Sequence, residues 1–305
     1  MRTASRRTFG LSLGAASFVA ACGRRPVTGY QPGFSRTAST ALPEYTFAVH
    51  PLHNPQMLHR LFAPLMAYLG QKVGVATFRL IASRDYAAFE TRLMAGQFDF
   101  ALPNPLQTLQ SLNRGYRVFA KEADDDEFRG IVLVRKDSGV RAPEDLIGKT
   151  ISYPAPTALA ATLMVQYYLQ THGLPIRRTR SIFVGSQESS ISSVFLRTSQ
   201  AGGTWPAPWR PFAKENPNVA EALEIKWRTP PLINNGLVAL SSVPGDIVAK
   251  VAESLTTLGR TDTGKALLSA MAVPGFQLAD AGAFEPVREF IARYETSVGP
   301  INALA

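Results

Sequence analysis

Residues 98–105 have the sequence FDFALPNP, and this stretch contains the pattern that decides the fold. The alternating apolar residues up to Leu102 predict a buried strand, and Pro103 ends it because proline has no backbone N–H to donate. Asn104 is a favourable cap for a helix over residues 105–112, and Pro105 suits the first helical position. A strand that passes directly into a helix indicates an α/β fold.

The same alternation of strands and helices extends on both sides of this stretch. Apolar residues such as Leu58, Phe62 and Leu65 recur at helical spacing after a buried strand that ends at Val49. We predict strands at residues 45–49, 76–81, 98–102, 117–120 and 131–134, with helices at 55–70, 85–95 and 105–112. This order predicts a sheet whose strands are connected by helical crossovers.

A second unit of the same kind begins near Asp137. We predict its strands at residues 150–153, 181–184 and 201–204, a long helix at 157–169, and a shorter helix that Ser186 or Glu188 opens. The proline-rich residues 206–217 are expected to be only partly helical, and strands at 223–228 and 236–240 lead back to the first unit before three C-terminal helices. The pattern therefore predicts two lobes, with residues 44–136 and 235–305 in lobe one and 137–234 in lobe two.

The N-terminus has the features of an export signal. Arg6 and Arg7 precede a short apolar stretch, and residues 19–22, VAAC, resemble a bacterial lipobox. We expect residues 1–21 to be a twin-arginine-like lipoprotein signal peptide, Cys22 to carry the lipid, and residues 22–43 to form a flexible tether. Loss of the three arginines among residues 1–21 would lower the net charge from +9 to +6.

The composition excludes several classes of protein. Hydrophobic residues make up 46% of the chain and charged residues 18%, so a largely disordered chain is excluded. The single cysteine excludes an intrachain disulfide, and the four histidines form no metal-binding pattern. The chain also lacks a phosphate-binding loop, a Gly-x-Ser-x-Gly elbow and aromatic residues interleaved with basic ones. We therefore expect no enzyme activity, cofactor, metal or nucleic-acid partner.

Seven short motifs resemble a known family when they are taken in order. They are FAPL at residues 62–65, DY at 85–86, GQFDFA at 96–101, VRKDSG at 134–139, DLIGKT at 145–150, VGSQE at 184–188 and PPLI at 230–233. The chain is similar to periplasmic substrate-binding proteins of the phosphate, phosphite and phosphonate ABC transporters. This resemblance implies a type II periplasmic-binding-protein fold, in which each lobe is a mixed sheet flanked by helices and two crossing strands join the lobes. It also implies delivery of a small, anionic ligand to a membrane permease.

The resemblance also implies ligand contacts from both lobes and from the crossings. The candidates are Tyr86, Asn104, Phe128, Arg129, Thr157, Ala158, Ser186, Gln187, Glu188, Thr204, Trp205, Asn234 and Asn235. Tyr86 keeps a tyrosine of the phosphonate-binding members, but Phe128 has lost a hydroxyl and Gln187 replaces a histidine. Carboxylates that would hold an aminophosphonate fall on Ala207 and Asn235, so tight aminophosphonate binding is not expected. Arg129 is the cation expected near the cleft, where it would set anion selectivity.

Three questions stay open at the level of sequence. The chain could serve an importer of a phosphorus oxyanion, an importer of a non-phosphorus organic ligand, or a receptor kinase as its periplasmic sensing partner. Trp205 could pack in the core or form an apolar wall of the ligand pocket. His50 and His53 follow the first strand and could reach the cleft, but surface positions are expected for both. We expect a monomer, held by its lipid on the outer side of the cytoplasmic membrane.

Overall fold

The computed structural model of the protein describes residues 42–301. The predicted signal peptide, Cys22 and nearly all of the predicted tether lie outside these residues. The strands are β1 (Glu44–Val49), β2 (Thr77–Ala82), β3 (Phe100–Leu102), β4 (Tyr116–Glu122), β5 (Ile131–Arg135), β6 (Thr150–Tyr153), β7 (Arg180–Phe183), β8 (Ala201–Thr204), β9 (Leu223–Arg228), β10 (Gly236–Leu240) and β11 (Phe276–Leu278). The helices are α1 (Pro55–Val73), α2 (Tyr86–Met94), α3 (Pro105–Leu112), α4 (Val165–Thr171), α5 (Gln187–Phe195), α6 (Pro206–Glu215), α7 (Pro217–Ala222), α8 (Gly245–Thr256), α9 (Asp262–Met271) and α10 (Glu285–Ser297).

Two sheets form the cores of two lobes. The first has the strand order β11-β4-β10-β3-β1-β2, and the second has the order β7-β6-β8-β5-β9. Each sheet is mixed, because β1 runs parallel to β2 and β3 while β10 runs antiparallel to β3, and β8 runs parallel to β6 but antiparallel to β5. The return of β10 and β11 to the first sheet matches the prediction that the chain leads back to lobe one.

The predicted boundary at residue 136 is wrong. The structure pairs β5 with β8 and β9 in the second sheet, so Ile131–Arg135 belongs to lobe two. The apolar pattern of this strand predicts burial but carries no information about which sheet buries it. The chain crosses between the lobes at residues 123–130 and 229–235. The two crossings lie side by side, with Thr229 N donating to Gly130 O and Leu232 N donating to Phe128 O, each at 2.9 Å.

The proline-rich region is more helical than the sequence analysis predicts. Residues 206–222 form α6 and α7 with Asn216 between them. Pro206 and Pro217 each occupy the first turn of a helix, where an N–H has no intrahelical partner and its absence costs little. Pro211 lies inside α6. The helical stretch predicted at 157–169 is also found, but its first part, Leu159–Met164, is a π-helix that continues into α4.

Two glycines allow the start of this π-helix to approach the centre of the molecule. A Cβ atom on Gly130 would overlap Ala160 O, and one on Gly203 would overlap Ala161 O. Gly130 belongs to the first crossing and Gly203 to β8, so the helix start lies directly against the crossing and the second sheet. Any larger side chain at these glycines would push the helix away from the cleft between the lobes.

Gly203→Ala should therefore lower the free energy of unfolding by at least about 2 kcal/mol, because the overlapping atom is a helix backbone oxygen. The measurement is urea unfolding followed by circular dichroism. Gly245→Ala is the matched control, since a Cβ there meets no atom within 4 Å, and it should change stability by less than about 0.5 kcal/mol. Equal effects of the two substitutions would contradict the proposed close approach.

Candidate functional site

Four helical segments begin at one pocket between the lobes. Tyr86 is the first residue of α2, Asn104 caps α3, Leu159 starts the π-helix and Gln187 starts α5. The pocket is lined by His50, Tyr86, Asn104, Phe128, Ala158, Leu159, Ala160, Ala161, Gln187, Trp205 and Asn235. Its cavity volume is about 10 Å³, which is room for about one water molecule. In this closed form, the lining side chains nearly fill the space where the four helical segments begin.

Side-chain caps hold the helix starts of lobe one in place. Asp85 Oδ1 accepts from Ala88 N at 2.8 Å, which leaves Tyr86 as the first helical residue. Asn104 Oδ1 accepts from Gln107 N at 3.0 Å, and the Gln107 side chain accepts from Asn104 N at 3.0 Å. This reciprocal pair is a capping box, and it fixes the Asn104 side chain at the pocket wall.

The helix starts of lobe two supply free backbone donors. Ser186 Oγ accepts from Ser189 N at 3.1 Å and caps α5. In the π-helix, the first backbone bond is donated by Thr162 N to Ala158 O at 2.8 Å, so the N–H groups of residues 159–161 precede it. Free N–H groups and the positive end of the helix dipole both attract anions.

Aromatic side chains from the crossing and lobe two form the apolar wall. The rings of Phe128 and Trp205 lie 5.3 Å apart between centroids at an interplanar angle of 60°. Phe128 is 2% exposed and Trp205 is 5% exposed. The Trp205 side chain packs in the core and also lines this pocket, and its contact with a ligand stays a prediction.

The lobes are closed on each other by hydrogen bonds around the pocket. Asn104 Nδ2 donates to Thr157 O at 3.0 Å, and Gln187 Nε2 donates to the Tyr86 hydroxyl at 3.3 Å. The Thr157 hydroxyl donates to Glu90 Oε1. His53 Nδ1 lies 3.2 Å from Glu188 Oε1, which joins the loop before α1 to α5. The pocket is thus a buried space between two lobes that are in contact.

Burial sets the ionisation of the pocket groups. It lowers the pKa of His50 to about 4, and the imidazole Nδ1 lies 2.9 Å from Leu102 O. It raises the pKa of Tyr86 well above its ordinary value, so the hydroxyl keeps its proton. Burial also raises the pKa of Glu90, against the hydrogen bonds from Thr157 and Gln107. The pocket is therefore lined by neutral groups, and no lysine or arginine is among its lining residues within 42–301.

This geometry can be compared with known proteins. A family model described as "ABC transporter, phosphonate, periplasmic substrate-binding protein" matches residues 47–284. The chain belongs to this family. Members of this phosphonate-binding family are solute-binding proteins of ABC transporters. The match extends from the first strand to the turn before the last helix and includes every residue that lines the pocket.

One curated relative and two solved structures illustrate the similarity. The probable ABC transporter phosphite binding protein PhnD1 of Prochlorococcus marinus (strain MIT 9301) is 26% identical over 160 residues, and the chain spans about half of that relative's length (50% of this chain, 51% of the relative). The structure of PhnD1 with methylphosphonate superposes with a TM-score of 0.76 at 19% identity, covering 82% of this chain and 97% of that one. A binding protein component of an ABC phosphonate transporter from Pseudomonas aeruginosa gives 0.77 at 17% identity, covering 86% and 90%. These structures confirm the two-lobed type II fold.

The structure brings seven of the predicted site residues to the pocket. They are Tyr86, Asn104, Phe128, Ala158, Gln187, Trp205 and Asn235. Thr204 lies behind the wall, where its hydroxyl donates to Gln187 Oε1 at 2.8 Å, and Thr157 and Glu188 join the lobes. Asn234 is occupied by the first crossing, since its Nδ2 donates to Ala123 O at 3.0 Å. Ser186 caps α5 as described.

Arg129 does not line the pocket. Its Nε donates to Asp126 O at 2.7 Å on the exposed side of the first crossing. Phe128 lies in a tight turn in which Arg129 N donates to Glu127 O at 3.1 Å, and of these two neighbours Phe128 is the one that lines the pocket. Phe128 takes that position, and the hypothesis that Arg129 sets anion selectivity has no geometric support.

Sequence reasoning missed four polar groups near the pocket. The prediction of surface positions for His50 and His53 is wrong, because they are 2% and 4% exposed. Their position at the carboxyl end of a parallel strand could have indicated that they lie near the cleft, because ligands of open α/β sheets bind there. Glu90 lies one turn after Tyr86 in α2, and Glu122 is the last residue of β4, where its Oε2 accepts from Asn235 Nδ2 at 2.9 Å.

Within residues 42–301, no group of three or more histidine, cysteine, aspartate and glutamate side chains is placed to hold a metal ion. In the same part of the chain, no helix is long and apolar enough to cross a membrane.

Glu122→Gln should flatten the pH dependence of stability. Burial raises the pKa of Glu122 to about 7 from 4.5, despite the hydrogen bond from Asn235 and the nearby Lys121. Between these values the folded chain holds a proton that the unfolded chain has lost, so this contribution to stability is full below about pH 4.5 and is lost as the pH rises through about 7. A shift of that size corresponds to about 3 kcal/mol. The measurement is urea unfolding at pH 5 and pH 8. From the lower to the higher pH, the free energy of unfolding of the wild type should fall by about 3 kcal/mol more than that of the variant. Equal losses would show that Glu122 is ionised in the folded protein.

Proposed function

We propose that the chain is the substrate-binding component of an ABC importer and captures a small phosphonate-type oxyanion, such as phosphite or methylphosphonate, between its lobes. The observation that carries this proposal is the meeting of four helix starts at one small buried pocket. Each start offers backbone N–H groups and a positive dipole end, which together favour an anion.

Neutral donors would hold the ligand's oxygens. The Tyr86 hydroxyl accepts from Gln187 Nε2 at 3.3 Å. Within the described part of the chain, the hydroxyl donates its own proton to no other atom. Gln187 Nε2 has a second hydrogen, and the N–H groups of Ala160 and Ala161 lie in the first turn of the π-helix at the same wall. Phe128 and Trp205 would enclose the apolar substituent on phosphorus. The closed lobes exclude water, which strengthens each of these hydrogen bonds.

Delivery to a permease follows from the same closure. In this proposal, the lobes close on the ligand through the contacts of Asn104 with Thr157 and of His53 with Glu188. An ABC permease in the cytoplasmic membrane would accept the closed protein and open it. We propose that the protein acts as a monomer in the periplasm. A loaded protein that stimulates the ATPase of its own permease would support transport, whereas stimulation of a receptor kinase alone would favour a sensing role.

Tyr86→Phe should lower the affinity for methylphosphonate by about 10- to 100-fold, because it removes one hydrogen bond to a charged oxygen worth about 1.5–3 kcal/mol. The measurement is isothermal titration calorimetry, after a thermal-shift screen of phosphite, phosphate, alkylphosphonates, sulfonates and small organic acids. Tyr167→Phe is the matched control on α4, away from the pocket, and should leave the affinity unchanged.

Arg129→Ala should also leave the affinity unchanged, whereas the hypothesis drawn from the sequence expects a loss. A screen in which only uncharged compounds stabilise the protein would contradict the proposed anion site. A screen in which only organic acids stabilise it would support an importer for a non-phosphorus ligand.

Cys22→Ser should release the protein from the membrane. We propose that Cys22, the single cysteine of the chain, carries the lipid anchor after cleavage of residues 1–21. Cells that express the wild type should incorporate labelled palmitate into the protein and retain it in the membrane fraction, whereas the variant should do neither. Replacing Arg6 and Arg7 by lysine tests the export signal separately, because folded protein should then accumulate inside the cell. Palmitate labelling of Cys22→Ser would disprove the anchor.

A further inference from the structure

His50 presents a hydrogen-bond acceptor to the pocket. Its Nδ1 lies 2.9 Å from Leu102 O, and a carbonyl oxygen can only accept, so Nδ1 carries the proton. The imidazole is buried and neutral, with its pKa lowered to about 4 by desolvation. Nε2 is therefore the bare nitrogen, and it has no hydrogen-bond partner within residues 42–301. Since His50 is 2% exposed and lines the pocket, this lone pair is left for a ligand.

Asn235 supplies a second acceptor at the same pocket. Its Nδ2 donates to Glu122 Oε2 at 2.9 Å, which turns the amide oxygen away from the carboxylate. Asn235 is fully buried, and its Oδ1 has no partner among the described residues. A buried acceptor without a donor costs about 1–3 kcal/mol, so a ligand that offers a proton would regain that energy.

The combination of donors and acceptors distinguishes ionic forms of a ligand. A fully ionised oxyanion can only accept hydrogen bonds. It would accept from Tyr86 and Gln187, but its lone pairs would be repelled by the lone pair on His50 Nε2. Building on the proposed function, we propose that the pocket binds the singly protonated monoanion of its ligand, with His50 Nε2 accepting the hydrogen bond of the ligand's P–OH group. Asn235 Oδ1 is then a further acceptor for a ligand that carries a second O–H group.

The charges around His50 favour the same form. Tyr86 faces the imidazole from α2, with 6.2 Å between ring centroids, and His53 lies on the same connection after β1. Three carboxyl groups lie farther out, namely Glu90 on α2, Glu188 beside His53 and Glu122 behind Asn235. Since no lysine or arginine lines the pocket in the described part of the chain, nothing there would offset a second negative charge.

This mode of binding makes affinity depend on the ligand's own ionisation. Above the second pKa of the ligand, the monoanion is a shrinking fraction of the total, so the apparent affinity should fall tenfold per pH unit. The pH at which the fall begins should be higher for methylphosphonate than for phosphite, because methylphosphonate has the higher second pKa. A titrating protein group would instead give one midpoint for both ligands.

The decisive experiment compares methylphosphonate with methanesulfonate by titration calorimetry on the full chain near pH 6. The two monoanions have the same shape and charge, but methanesulfonate has sulfur in place of phosphorus and carries no proton on oxygen. We expect the wild type to prefer methylphosphonate by at least about 100-fold, because a site built to hydrogen-bond an O–H group rejects an analogue that lacks it. His50→Asn keeps a donor for Leu102 O and removes Nε2, so the preference should shrink at least tenfold.

His53→Asn is the matched control for this substitution. It changes the contact between lobes with Glu188 and leaves the lining of the pocket intact, so it should change both affinities by the same factor. The dependence of ligand affinity on pH is measured in the wild type and in Glu122→Gln, because this substitution removes the titration of the Glu122 carboxyl. These pH profiles test the proposal even where His50→Asn fails to fold.

The outcomes separate this inference from the proposed function. Binding of neither anion overturns both. Equal binding of the two anions, or a ratio that His50→Asn leaves unchanged, overturns the role of His50 while the oxyanion site stands. Methanesulfonate binding with proton uptake would show a protonated His50 and would likewise overturn it. If the affinities of Glu122→Gln for phosphite and for methylphosphonate fall at the same pH, the role of His50 is also overturned.

Discussion

The close approach of the π-helix to Gly130 and Gly203 is the constraint on which the pocket depends. The carbonyl groups of Ala160 and Ala161 occupy the space that two Cβ atoms would fill, so the helix start lies against the crossing and β8. This contact places free N–H groups beside Phe128 and Trp205 rather than on the outer surface of lobe two. Without it, the four helix starts could not meet, and the cleft would have one fewer set of backbone donors for an anion.

In the proposed binding mode, the pocket attracts negative charge through neutral groups, since no lysine or arginine lines it within residues 42–301. Backbone donors and the Gln187 amide do not titrate, and burial raises the pKa of the Tyr86 hydroxyl well above its ordinary value. A guanidinium in the same place would bind any anion of suitable size, since its charge acts at longer range than a hydrogen bond. Neutral donors and acceptors instead distinguish ligands by the number and position of their protons, which is a finer criterion than charge.

Much of the fold could be predicted from the sequence, because strands and helices of this chain have clear periodic patterns. The FDFALPNP stretch predicts β3, the cap Asn104 and α3, and the structure contains all three, although β3 begins only at Phe100. Asp99 is outside the strand because its carboxylate accepts from Thr46 N and its own N–H donates to Thr46 Oγ1, each at 2.8 Å. The assignment of β5 to a lobe could not be predicted, since its apolar pattern indicates burial but does not indicate that β8 and β9 are its neighbours.

For the site, the sequence by itself determined which residue types stand at the helix starts. Tyr86, Asn104, Gln187 and the alanines near residue 158 could be named from their local position, because a cap and the residue after it are fixed by neighbouring residues. Only the tertiary structure decided which side chain of a pair faces the cleft and which polar atoms are left without a partner. Phe128 turns inward while Arg129 turns outward, and His50 is buried with its Nε2 free. These outcomes depend on contacts between residues about 50 to 110 positions apart, such as His50 with Leu102 and Asn235 with Glu122, which no local pattern contains.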